Sequence, residues 1–350
     1  MYYGSALAPS TRTQYDAHVV RFLTFCVAAG LDHAQPSEPT VMLYAALLAR
    51  SVKPQTVRQY LKGLRSHYRQ RQQPEFGDPV AWPHLYAMLR GVARMKQADV
   101  AKKCPITPAM LFEFRRGMGT CARSKALWAC MLVTFFAYFR KSNTTTEAGS
   151  AYAPGHTVRV GDVSFVPAQY ALKVVVRSSK TRQFGTSTAV WVKGLKGHVL
   201  DPVHAWAEHA AANRVAEDPL VHAFAHRGPG GGFQPMRHAD IVAAAKSMAV
   251  AAGMQAQDAA GHSFRRGGAS FAFECGVPDI LIQRQGDWAS SCYREYVNVS
   301  PIRALEATDR MLRALTGTPC AATWGSGLVP AANPFGHSSV AASAGFLADE

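Results

Sequence analysis

The chain is short of acid. Its 350 residues carry 23 Asp and Glu against 38 Lys and Arg, a formal net charge of +15. Between Lys53 and Gln72 there is no acidic residue at all. An uncharged apolar run of the roughly 18–20 residues that a membrane span requires is also missing. The first residues hold no basic stretch followed by an apolar one, so no secretory signal is expected. None of the seven cysteines forms a C-x-x-C pair. Neither a disulfide framework nor a zinc module is therefore expected, and a reducing intracellular compartment is. Charged residues make up only 17% and apolar ones 48%, which excludes a disordered polyelectrolyte and supplies a sizeable core.

The positive charge is spread over the chain. Residues 1–104 hold 14 basic and 6 acidic side chains, and residues 105–314 hold 24 and 15. Residues 315–350 have no Lys or Arg. Such a balance favours a polyanionic partner, nucleic acid before an anionic membrane. The length suits about two domains.

The first 104 residues read as four helices and a linker. Ser10-Thr11 opens one that runs to about Ala29, with Tyr15, Val19, Phe22 and Cys26 on one face. Ser37-Glu38-Pro39 opens a second, with Val41, Leu43, Tyr44, Leu47 and Leu48 apolar. Lys53-Pro54 opens a third, whose outer face carries Arg58, Lys62, Arg65 and Arg69 at spacings of three and four. With no acid interleaved, that stripe is expected to track phosphates. The fourth spans about Val80–Met95, and the polar stretch 96–103 reads as a linker.

Beyond it, Thr107-Pro108 restarts helix, and an almost wholly apolar helix is predicted over Ser124–Phe139. Strands are expected at His156–Phe165, Ala171–Arg177 and Thr188–Val192, the last two as a hairpin around Ser178–Arg182. Asp201-Pro202 and Arg237–Ala252 give further helices, the glycine cluster Gly228–Gly232 a loop, and short helices continue from Ser263 to about Leu315. The Ala-, Gly- and Ser-rich residues 316–350 are expected to be disordered. No histidine spacing, His222 and His226 included, predicts a metal site.

Three strings carry chemistry. Phe135-Phe136-Ala137-Tyr138-Phe139-Arg140-Lys141-Ser142-Asn143 places an Arg at the end of an apolar helix, where burial is costly unless it meets an anion. Gly261-His262-Ser263-Phe264-Arg265-Arg266-Gly267-Gly268 sets a His and an Arg three apart on one helix face. Its two glycines cost about 1 kcal/mol each in helix stability, which predicts a second backbone, protein or DNA, pressed close. Gly286-Asp287-Trp288 is followed by Tyr293 and Tyr296, three apart.

In order, Arg140, the hairpin Lys180, His262-x-x-Arg265, Trp288 and Tyr296 resemble the signature of the tyrosine recombinases, the phage-integrase family. The resemblance covers about residues 8–315. The strings F-R-K-S-N, S-F-R-R-G-G and G-D-W-x-S-x-x-Y-x-x-Y are most similar to integrases of eukaryotic mobile elements, DIRS-type elements and Cryptons. It implies a mainly α fold with a small β-sheet: a helical core-binding (SAM-like) domain at 1–104 and an α+β breaking-rejoining catalytic domain at 105–315. It also implies strand exchange on double-stranded DNA by four protomers on two sites, clamped between the domains, without metal, ATP or other cofactor. The setting implied is intracellular, and nuclear in a eukaryotic host.

The implied chemistry suits the residue types. Arg140 and Arg265 grip the phosphate oxygens with planar forks, and Lys180 protonates the leaving 5′-oxygen, with Lys173 and Arg182 as alternatives. His262 takes the nucleophile's proton or bonds the phosphate, and Trp288 donates its indole N–H. Tyr296, followed by Val297 as is usual in the family, attacks, with Tyr293 the alternative. Lys141, Arg182 and Arg266 are expected on DNA. The sequence departs from the family at Asn143, where an acid is frequent, at Trp288 in place of His, and in a Trp288–Tyr296 spacing one residue short. A relaxing topoisomerase, a resolvase and a domesticated DNA-binding protein without activity share most of these features.

Overall fold

The computed structural model describes residues 7–96, 102–147, 157–178, 187–228, 230–288, 290–297, 299 and 305. The chain divides into two compact units, Met1–Ala101 and Lys102–Glu350.

The first unit is four helices: α1 (Pro9–Ala28), α2 (Glu38–Ser51), α3 (Pro54–Gln70) and α4 (Pro83–Met95). Ser37 caps α2, its hydroxyl accepting from the Thr40 amide. α4 begins later than its apolar pattern suggests, because Asp78 folds the preceding residues into a turn and accepts from the Val80 amide at 2.9 Å. The core gathers Phe22, Tyr44, Leu48, Val57, Leu64 and Tyr68. In α2 the buried face is Val41, Tyr44 and Leu48; Leu43 and Leu47 are exposed. That is what a 3.6-residue period dictates, since 41, 44 and 48 fall on one side and 43 and 47 on another.

The second unit contains α5 (Pro108–Arg116), α6 (Ala122–Phe136), α7 (Lys141–Thr144), β1 (Val163–Val166), β2 (Ala171–Val176), β3 (Thr188–Lys193) and α8 (Pro202–Asn213). It continues with β4 (His226–Arg227), β5 (Phe233–Gln234), α9 (His238–Ala251), α10 (Ser263–Glu274) and α11 (Asp279–Gln285). The fold is mainly α, with a small antiparallel sheet in the order β1-β2-β3 and a two-stranded β4-β5 hairpin. α6 is buried on nearly every side and packs on α8, α9 and α10, which explains its unbroken apolar sequence. Thr107 caps α5 and Asp201 caps α8, as their positions before Pro108 and Pro202 suggest.

Two expectations are corrected. The apolar helix ends at Phe136, not Phe139, because Tyr138 turns left-handed at φ 51°. Arg140 therefore stands beyond that helix, as the residue that opens α7. The strand expected from His156 is broken by a 3-10 turn at Val160–Asp162, with the Asp162 carboxylate accepting from the Arg159 amide, so strand begins only at Val163. The glycine cluster falls in the connection between β4 and β5, as expected of a loop, with the Gly228 amide on the Gly232 carbonyl. Among the described residues no helix is long and apolar enough to cross a membrane.

Candidate active site

α10 is the spine of the site. It carries His262 just ahead of its first turn and Arg265 inside it. Gly267 and Gly268 let it sink into the unit. A Cβ on Gly267 would overlap the Ile106 carbonyl, and one on Gly268 the Phe135 carbonyl. The close neighbour that these glycines predict is thus this chain's own backbone.

That depth buries Arg265, which is 1% exposed. One guanidinium nitrogen donates to the Tyr138 carbonyl and another to the Gly286 carbonyl at 2.9 Å. Both acceptors adjoin left-handed backbone, Tyr138 at φ 51° and Asp287 at φ 53°. Such non-glycine conformations cost on the order of 1–3 kcal/mol each and mark places where geometry outweighs local stability. Among the described residues no carboxylate pairs with Arg265. Its Nε is buried with no hydrogen-bond partner. Burial, and then the charge of neighbouring Arg140, press its pKa down to about 9.

Arg140 shares a narrow cleft with Arg265, lined also by Asn143, Val176, Thr188 and Asp287. Asn143 fixes the Arg140 turn: its side-chain Oδ1 accepts from the Arg140 backbone N–H at 3.1 Å, while its backbone N–H donates to the Arg140 carbonyl at 2.8 Å. The neutral amide orients the backbone as an acid would, without adding charge.

Trp288 stacks on Arg265. The Arg265 guanidinium carbon lies 3.8 Å from the centre of its ring, a cation–π stack. Gly286 makes this possible, since a Cβ there would overlap the indole. The Trp288 Nε1 is buried with no partner among the described residues.

The two tyrosines diverge. The Tyr296 ring is half-buried, 5.5 Å from the Trp288 ring, 6.1 Å from the His262 ring and 5.4 Å from the Arg265 guanidinium carbon. Tyr293 is 2% exposed and accepts a 3.3 Å hydrogen bond from Arg294 Nε. Burial pushes its phenol pKa up.

Lys180 and Arg182 lie outside the described residues. Val176 and Thr188, the paired ends of β2 and β3 on either side of them, line the Arg140–Arg265 cleft. Lys173 sits on the other face of β2 from Val176, with its ammonium over the Trp191 ring. Lys141 is half-buried and packs beside Gly261. Arg266, expected on DNA, is only 7% exposed and donates to the Glu295 carbonyl at 3.1 Å. Ser270 donates to the Tyr296 carbonyl at 3.3 Å. These two side chains tie the backbone at Tyr296 to α10. Sequence reading missed Ser270 and this role of Arg266, because a second Arg beside Arg265 reads only as more charge.

In the first unit Arg58, Lys62 and Arg69 are exposed. Arg65 and Arg69 both reach Asp78 at 3.4 Å, an acid eight residues or more beyond the stripe in sequence.

No protein-family model matches the chain, and no curated protein matches it in sequence. Solved structures do. The Tn1549 transposon integrase in complex with transposon right-end DNA superposes with a TM-score of 0.57 at 11% identity, over 88% of this chain and 95% of that one. The XerH site-specific recombinase bound to palindromic difH substrate superposes with a TM-score of 0.53 at 13% identity, over 83% and 76%. The fold is that of the tyrosine recombinases. In this fold two guanidiniums, one of them buried, line one cleft, and the Trp288 indole and the Tyr296 phenol ring lie against the buried one. Such a set is suited to an anion whose charge grows during reaction. Among the described residues no His, Cys, Asp and Glu cluster fits a metal ion.

Proposed function

We propose that the chain is a tyrosine recombinase: a DNA strand-transferase that cuts and rejoins duplex DNA through a 3′-phosphotyrosine. One observation carries this reading. Arg265 is buried with two backbone carbonyls as its acceptors, in a cleft shared with Arg140 and Asp287 and beside the Tyr296 ring. Burying a guanidinium costs several kcal/mol, the two carbonyls and nearby Asp287 offset part of it, and a phosphodiester entering the cleft offsets more.

In this reading Arg140 and Arg265 hold the two non-bridging oxygens, and the Trp288 Nε1 donates to one of them. The Tyr296 oxygen attacks phosphorus while His262 accepts the phenol proton. The bond to the 5′-oxygen breaks, and Lys180, from the β2–β3 connection, protonates that oxygen. Attack by a 5′-hydroxyl on the phosphotyrosine reverses the step, so bond energy is conserved and neither ATP nor metal is required. Arg266 and Ser270 are positioning residues, not DNA contacts. The exposed Arg58 and Lys62 contact backbone phosphates.

Tyr296 is favoured over Tyr293 because its ring faces His262, Arg265 and Trp288, while the Tyr293 hydroxyl is engaged with Arg294. An inactive, domesticated binding protein is disfavoured, since DNA binding alone has no use for a phenol ring set against a buried guanidinium. We further propose an integrase of DIRS-type or Crypton character, acting as four protomers on two DNA sites, in the nucleus of a eukaryotic host.

The test is incubation of the full chain with a pool of nicked half-site duplexes, followed by mapping of the residue joined to the 3′-phosphate. An adduct on Tyr296, lost in Tyr296→Phe and retained in Tyr293→Phe, is expected. An adduct on Tyr293 moves the nucleophile, and no adduct with any duplex overturns the enzyme reading.

A further inference from the structure

The first unit holds a groove that the phosphate-tracking role does not account for. It runs between α3 and α4 and has a volume of about 360 Å³. Leu61, Leu85 and Leu89 line it with Trp82 and Tyr86. Arg58 and Lys62 stand along it on α3 and Arg90 on α4, all three exposed. Among the described residues none of these three cations has an ion pair or hydrogen bond. Arg65 also lines the groove, but Asp78 neutralises it. Cations unopposed on both helices and a largely apolar, charge-balanced interior describe a ligand with an aromatic middle and anionic ends.

We propose that this groove receives an unstacked DNA base, its flanking phosphates held by Arg58 and Lys62 on one side and Arg90 on the other. The proposal rests on the DNA-binding reading and goes beyond it, because backbone tracking alone needs no apolar groove. Base–aromatic stacking is tolerant of sequence, since every base has a π-face. Trp82 and Tyr86 offer rings for it. Arg65 supplies a further argument: its Nε is buried without a partner. Base ring nitrogens and carbonyls are acceptors that satisfy such a donor; the apolar face of a docking helix offers none. The volume sits at the small-ligand end of binding sites, enough for one nucleoside and small for the row of anchors along an amphipathic helix.

The experiment uses the full chain and a single-stranded oligothymidylate carrying one 2-aminopurine, with a duplex bearing the same base unpaired as a second probe. Saturable quenching of 2-aminopurine emission on binding is expected, and it is lost in Trp82→Ala and in Leu61→Glu. Trp82→Ala weakens oligonucleotide binding by ~10-fold, ~1.4 kcal/mol. Because Trp82 packs on Phe76, a variant that keeps the floor intact, Arg90→Ala, is measured as well; it weakens binding and lowers the salt dependence. Binding without quenching, or quenching unchanged in all three variants, overturns the groove and leaves the strand-transferase reading intact. An acidic amphipathic peptide that binds the groove while the oligonucleotides do not also overturns it. If no DNA of any kind binds, both readings fall together.

Discussion

Changing a helical glycine to alanine at two places in this chain should move stability in opposite directions. Gly91 lies inside α4, and a Cβ built there meets nothing within 4 Å. Alanine then brings only its helix propensity, about 1 kcal/mol over glycine. Gly91→Ala should raise the melting temperature of the first unit by ~4–8 °C, the shift expected of a domain of about 100 residues. Gly268 lies inside α10, and its Cβ would overlap the Phe135 carbonyl while also meeting Tyr138 Cδ1 at 2.7 Å. A backbone carbonyl in the middle of the core cannot rotate aside, so α10 or α6 must move. Overpacking of that kind costs ~1–3 kcal/mol, at the upper end here because the obstacle is backbone. Subtracting the ~1 kcal/mol propensity gain leaves a net loss of ~2 kcal/mol. That corresponds to a fall of ~4–8 °C in the second unit. The assay is thermal unfolding of each variant, with a denaturant melt to check that the slope is unchanged. A rise in melting temperature for Gly268→Ala would refute the close approach of α10 to α6, and with it the account of why Arg265 is buried.

The buried His209 and His222 have pKa values lowered by burial to about 4 and about 3, against 6.5 when unfolded. The unfolded chain therefore binds more protons below pH 6.5. Stability is full above that pH and falls on acidification, by up to ~1.4 kcal/mol per pH unit for each histidine. Urea melts between pH 7 and 5, where carboxylates remain ionised, should show this fall, and a flat midpoint would contradict it. Arg266→Ala removes the buried donor on the Glu295 carbonyl, a loss of ~1.5–3 kcal/mol for a charged hydrogen bond. Amide exchange over residues 291–297 should quicken while α6 stays protected. Unchanged exchange would deny Arg266 its positioning role.

Much of this architecture was legible in the sequence because its signals are local. Ser37, Thr107 and Asp201 stand where a helix must start, and the structure uses each as a cap. Gly267 and Gly268 announce a close approach, though not its partner. What stayed hidden depends on contacts distant in the chain. Nothing in the string around Tyr138 says that an aromatic residue will turn left-handed, yet that turn ends α6 and gives Arg265 a carbonyl. Arg266 and Arg69 read as outward cations until folding brings the Glu295 carbonyl and Asp78 to them. Lys180, the acid in the proposed reaction, lies outside the described residues.

The pair of carbonyls that accept from buried Arg265 has a thermodynamic corollary. Two peptide dipoles soften a full positive charge but do not cancel it, so Arg265 and Arg140 keep an attraction for anions in the cleft they line. Any small oxyanion that seats there is linked to folding: occupancy at a hundred times its dissociation constant adds ~2.7 kcal/mol to the native state. Sulfate or phosphate in a storage buffer should thus act as a chaperone for the second unit, and exchanging them for chloride should make the same molecule more fragile with no change in its covalent structure.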